Sequence, residues 1–147
     1  MTEGAAPADG ASQSRFSTYW RIALLLGYVG CILYFGTSRN SVIPPIGLLS
    51  SDKVLHALVF GGLSALTYCV ASQFWLNKSR WFCAGVGVAF AGLIGGLLEL
   101  AQSQLAYRSA EWLDFVADLI GALVLVTIAA KLRLERPLRQ ILVQRTE

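Results

Sequence analysis

Four apolar runs, almost free of charge and laid end to end through a short chain, limit what this sequence can fold into. Residues 22–38 and 81–98 contain no charged side chain. Residues 54–77 contain only His56, and residues 113–130 are interrupted only by Asp114 and Asp118. A helix crosses a bilayer in about 20 residues, with a range of roughly 17–25. The first and fourth runs sit at the short end of that range and need flanking residues to span. A buried hairpin of a soluble domain could account for one such run, but not for four in 147 residues. In lipid the backbone N–H and C=O groups must bond within the segment, which makes helices the default. Composition agrees, with 14% charged residues against about 25% in an ordinary soluble domain. The expectation is an all-α polytopic membrane protein, a four-transmembrane-helix bundle over residues 18–130, with the lipid bilayer as its surroundings.

The flanks read differently. Residues 1–17 are small and polar, with nothing to bury in a core, and are expected to be a disordered tail. They lack the basic start and small-residue cleavage site of a secretory signal, so the first helix is expected to stay in the mature protein. Residues 131–147 form a basic tail that sets topology or rests on anionic headgroups. Arg15, Arg21, Lys78, Arg80, Lys131, Arg133, Arg136, Arg139 and Arg145 fall on one side of the expected membrane, and only Arg39, Lys53 and Arg108 on the other. The positive-inside rule then places both termini in the cytoplasm. The first and third loops face outward. The net charge of +3 gives no reason to expect nucleic acid as a partner.

Other features fit a membrane. Trp20, Trp75, Trp81 and Trp112 lie near expected helix ends, where an interfacial aromatic belt forms. Gly92 and Gly96 form a G-x-x-x-G pair in the third run, suited to close helix packing within the monomer. Cys31, Cys69 and Cys83 all lie in apolar runs and read as small packing residues. No cysteine or histidine spacing suggests a metal site, and no motif suggests a cofactor.

The ionisable residues of the runs gather at one side. Asp52, Lys53 and His56 open the second run, Glu99 and Gln102 close the third, and Asp114 and Asp118 open the fourth; Arg108 and Glu111 lie in the loop between the last two. His56, Glu99 and Asp118 are each about one helical turn from a helix end, roughly 5–6 Å deep at 1.5 Å per residue. Ionisable groups at that depth need partners. A network of Glu99, Asp118 and His56, closed from above by Lys53 or Arg108, is expected. Simpler readings stand beside it. Asp52 is a helix cap or a site residue, Asp114 a cap or a first-turn dipole partner, and His56 a packed interfacial polar residue. Glu111 reads as a solvated loop charge.

The same residues resemble a known pattern. S-D-K-V-L-H-A-L-V-F (51–60) looks like the opening signature of the VanZ-like family of bacterial integral membrane proteins. E-L-A-Q (99–102) is similar to its next signature. Arg108, Asp114, Asp118 and Gly121 follow as R-x5-D-x3-D-x2-G. The family usually has Asn where this chain has Asp118, which adds a charge or a shareable proton. The resemblance covers roughly residues 52–130. It implies a four-helix protein of the bacterial cytoplasmic (inner) membrane with an outward-facing polar site. It links the family's name to glycopeptide resistance without implying that this chain confers it.

Three functions compete. The first is a non-enzymatic envelope protein whose polar pocket binds a polar or lipid-linked ligand or a membrane partner. The second is a membrane-embedded hydrolase or transferase acting on a lipid-linked envelope substrate, with His56 and a carboxylate as general base. Its weakness is that His is missing at the position of Asp114, where membrane lipid phosphatases carry it. The third is a proton-coupled small-solute transporter or an accessory subunit, weakened by the apolar inner halves of the helices. The first is preferred, so enzymatic activity is not the leading expectation.

Overall fold

The computed structural model describes residues 9–38, 52–107 and 111–135, with side chains from residue 19 onward. Among these residues the chain forms four helices and no strand. They are α1 (Asp9–Thr37), α2 (Asp52–Phe74), α3 (Arg80–Ser103) and α4 (Trp112–Lys131). All four contain a stretch long and apolar enough to cross a membrane. The protein is an all-helical, multi-pass membrane protein.

One expectation about the flanks fails. Residues 9–17 are helical and continuous with the first span, where a disordered tail was expected. Adding residues to an existing helix is far cheaper than nucleating one, so a polar stretch can ride on an apolar span. Residues 1–8, 39–51, 108–110 and 136–147 lie outside the described residues, as does the disorder expected for the N-terminal end.

The bundle is built on α2, α3 and α4. α2 and α4 share the largest interface, and α1 lies against α2 and α3 along a narrower strip. The packing follows from missing side chains. A Cβ on Gly121 of α4 would stand 1.9 Å from the carbonyl oxygen of Ala57 on α2. One on Gly61 would stand 2.8 Å from the carbonyl oxygen of Gly121, and one on Gly87 2.5 Å from that of Ser64. Small residues let membrane helices approach at backbone distance. The G-x-x-x-G pair is a lesser contributor: Gly92 faces Leu119 and Gly96 faces Phe115 at side-chain distances, within the monomer.

Two apolar clusters fill the interior. The first joins Ile32, Phe60, Leu63, Ile94, Leu98 and Ala122. The second, around Tyr68, Cys83, Ala84 and Val126, lies nearer the end where α2 meets α3. Cys83 is buried there and Cys69 packs against it, while Cys31 is exposed on α1. Tyr19, Trp20, Leu26, Tyr34 and Phe35 of α1 are exposed, as are Leu97, Leu100, Leu123 and Val124 of the bundle. On a membrane helix these are the faces for lipid tails. All four tryptophans are exposed; Trp75, Trp81 and Trp112 lie near helix ends and Trp20 near the start of the apolar stretch of α1, as an interfacial belt requires.

The helix ends are closed by local chemistry. Ser79 caps α3, its hydroxyl accepting from the Phe82 N–H at 3.1 Å. α4 ends with the Leu134 N–H bonded to the Ala129 carbonyl and the Arg133 N–H to the Ala130 carbonyl. Arg133 takes φ 54°, the left-handed position that this closure usually gives to glycine. The turn folds the chain back, so that Glu135 is buried and accepts a hydrogen bond from the Tyr68 hydroxyl.

Candidate functional site

The ends of α1 and α3 and the starts of α2 and α4 meet at one end of the bundle. There α2 presents Asp52, Lys53 and His56 on its first two turns, and α4 presents Asp114 and Asp118 on one face, four residues apart. The Gly121–Ala57 contact lies one turn deeper than Asp118 and one residue beyond His56, so it sets how far apart the two faces stand.

The deepest pair is His56 and Asp118. His56 Nδ1 lies 2.9 Å from Asp118 Oδ1. Asp118 is 1% exposed. Its other oxygen, Oδ2, is buried with no hydrogen-bonding partner among the described residues. That oxygen lies against α3 where Gly95 has no side chain, 2.7 Å from where a Cβ would stand. Gly95 thus opens the space that Asp118 occupies. The ring of Phe60, one turn below His56, is nearly parallel to the imidazole at 6.1 Å between centroids.

Above this pair sits a group of three. Lys53 Nζ bridges Glu111 Oε2 at 2.9 Å and Asp114 Oδ1 at 3.0 Å. Asp114 is 5% exposed, while Lys53 and Glu111 are open to solvent. Asp114 lies in the first turn of α4, where a carboxylate also meets the positive end of the helix dipole. Glu99 of α3 reaches the same end by another route: its Oε2 accepts the Glu111 backbone N–H at 3.1 Å, and its Oε1 is buried without a partner among the described residues.

The structure brings together part of the expected network. His56 and Asp118 meet, and Lys53 closes the cluster from above. Lys53 binds Asp114 and Glu111, however, instead of Glu99 and Asp118. Glu99 is held by a backbone amide and not by His56 or Asp118. Gln102 leaves the cluster, because its side chain donates to the Gly36 carbonyl of α1 at 2.9 Å. It pins α1 together with Tyr28, whose hydroxyl donates to the Val59 carbonyl. Glu111 was read as a solvated loop charge; it is exposed just before α4, and it also pairs with Lys53 and anchors Glu99 through its backbone N–H. Its spacing of three from Asp114 was the available signal, since that spacing places both carboxylates over one approach to α4. Arg108 lies outside the described residues.

Asp52 is the first residue of α2 and is exposed. One donor atom each from Asp52, His56 and Asp114 lie within 4.8 Å of one another. Spacing along the chain gave no sign of a metal site from cysteine or histidine, and no metal was expected; spacing is silent on a group assembled across helices. The opposite end holds a pair that the sequence reading also missed, Tyr68 with Glu135, because a turn and not a helical repeat brings them together.

The site is rich in carboxylates. Asp52, Glu99, Glu111, Asp114 and Asp118 surround Lys53 and His56, an environment that attracts cations more than anions.

No family model matches the chain, and no solved structure matches it. The chain is 36% identical over 97 residues to an uncharacterized protein of the yeast Schizosaccharomyces pombe. That stretch is 63% of this chain and 57% of the yeast protein, so the chain spans little more than half of its relative's length.

Proposed function

We propose that this protein is a VanZ-like, non-enzymatic membrane protein whose polar end binds the polar part of a ligand or a membrane partner at the bilayer surface. One observation carries the reading. α2, α3 and α4 bring ionisable side chains to one end and leave Glu99 Oε1 and Asp118 Oδ2 buried and without a hydrogen-bonding partner among the described residues. Buried acceptors without donors are costly, and such groups mark places where something else binds. The residues that carry the resemblance, among them His56, Glu99, Asp114 and Gly121, are also those that gather there or set the helix spacing, and Asp118, where the family usually has Asn, joins them. By that resemblance the membrane is the bacterial cytoplasmic one. By the distribution of Lys and Arg, both termini are cytoplasmic and the polar end faces outward, toward a lipid-linked envelope ligand.

The test is complementation. A deletion strain is screened against envelope-active compounds, and plasmid copies carrying Glu99→Gln, Asp114→Asn or His56→Ala are compared with wild type at matched membrane levels. All three are expected to leave the deletion phenotype uncorrected. Full rescue by all three would end the binding-site reading.

The His56–Asp118 pair favours a second reading. A carboxylate that fixes an imidazole is the arrangement of a general base, and it would suit a hydrolase or transferase on a lipid-linked substrate. Purified protein that releases no product from lipid phosphates under any condition tried would count against it.

A further inference from the structure

We infer that Asp52, His56 and Asp114 form a binding site for a first-row divalent cation of the zinc type, with Asp118 positioning the imidazole. The inference rests on the reading of the polar end as the working site and names the ligand class that this end takes.

The donor set is the first argument. Asp52 and His56 lie one turn apart on α2, and Asp114 comes from the first turn of α4. Their donor atoms lie within 4.8 Å of one another. Tetrahedral donors at bonds of about 2.1 Å are about 3.4 Å apart. The group must therefore contract by roughly 1.4 Å at most. Asp52 is exposed at a helix start and free to swing inward, while His56 and Asp114 are already held. One imidazole and two carboxylates leave a coordination position for water or for an oxygen of a ligand. This is the pattern of an open zinc site, not a closed structural one.

Asp118 is the second argument. It is 1% exposed, is aimed at His56 Nδ1 and keeps Oδ2 buried without a partner among the described residues. A carboxylate at that depth is costly unless it has work to do. Holding the proton on Nδ1 leaves Nε2 as the nitrogen with a free lone pair, and a carboxylate behind a histidine is the usual support of a metal-bound imidazole. Imidazole favours zinc, copper, iron or nickel, whereas magnesium and calcium prefer all-oxygen sites.

Lys53 is the third argument. Its ammonium stands 3.0 Å from Asp114 Oδ1 and so competes for a metal-ligand carboxylate. Glu111 offers it a second partner at 2.9 Å, on which it can remain while Asp114 turns to a metal.

The protein is purified in full, without a histidine tag, into lipid nanodiscs. Zinc is then titrated and counted by elemental analysis. The expected result is one zinc per chain, with affinity at least tenfold weaker in His56→Ala and Asp114→Ala and about tenfold weaker in Asp118→Asn. Lys53→Met should bind zinc more tightly. Excess Mg2+ should not displace the zinc. A second measurement needs no variant: Cu2+, the tightest binder of the divalent series, is added to wild-type protein and probed by pulsed EPR. His56 is the chain's single histidine, so imidazole nitrogen coupling assigns the ligand directly. Wild-type protein that retains no zinc, zinc retained equally by His56→Ala, or Cu2+ without nitrogen coupling would each overturn the site. If such a result came with variants that still fail to complement, the metal would fall and the binding-site reading would stand. Zinc binding as expected, with complementation intact in every variant, would sink the functional reading alone.

Discussion

Replacing Gly121 with alanine tests the link between the fold and the site. A Cβ there would stand 1.9 Å from the Ala57 carbonyl oxygen, 2.4 Å from its carbonyl carbon and 2.5 Å from its Cα. All three are backbone atoms of a neighbouring helix, so no side chain can turn aside. A carbon–oxygen contact needs about 3.3 Å, so α2 and α4 must separate by about 1.4 Å at this crossing. His56 and Asp118 flank the crossing at 2.9 Å and would be drawn beyond hydrogen-bond reach. Overpacking costs about 2 kcal/mol, and leaving a buried carboxylate unbonded costs about 2 kcal/mol more. Better helix propensity returns about 1 kcal/mol. The net expected loss is about 3 kcal/mol. Equilibrium unfolding in mixed micelles measures it, with Gly85→Ala as the control. Gly85 is exposed and meets nothing within 4 Å, so alanine there should be neutral or stabilising. If Gly121→Ala unfolds within about 0.5 kcal/mol of wild type, the close-contact account of the α2–α4 interface is wrong.

Two further predictions concern the opposite end. Arg133 holds φ 54°, and a side chain in that region costs about 1 kcal/mol. Arg133→Gly should raise the melting temperature, and a lower one would contradict the turn described. Tyr68→Phe removes the donor from the buried Glu135 carboxylate and should cost about 2 kcal/mol, most of it recovered when Glu135→Leu is added. Strictly additive losses in the double-mutant cycle would show that the two side chains do not interact.

The candidate site was partly legible because helical spacing is short-range information. Lys53 with His56, and Asp114 with Asp118, share faces by periodicity alone, and their depth follows from their distance to the helix ends. Partners across helices were not legible. Whether Lys53 would meet Glu99, Asp114 or Asp118 depends on how far each helix is rotated about its axis. That rotation is set by where Gly61, Gly87, Gly95 and Gly121 allow close approach. Gln102 illustrates the same limit, since its spacing from Glu99 put it with the cluster and the packing of α1 drew it away.

By itself the sequence determined that the chain is a four-helix membrane protein and which helix ends carry its ionisable residues. Water and lipid sort side chains by polarity along each segment, so segment-level hydropathy carries that information. Tertiary structure alone decided that His56 stands on Asp118, that Lys53 bridges Glu111 and Asp114, and that Asp52, His56 and Asp114 converge. Those contacts depend on ångström-scale helix separation and rotation. In a bilayer, close packing of small residues sets both, because the lipid surrounding the bundle is as apolar as its core.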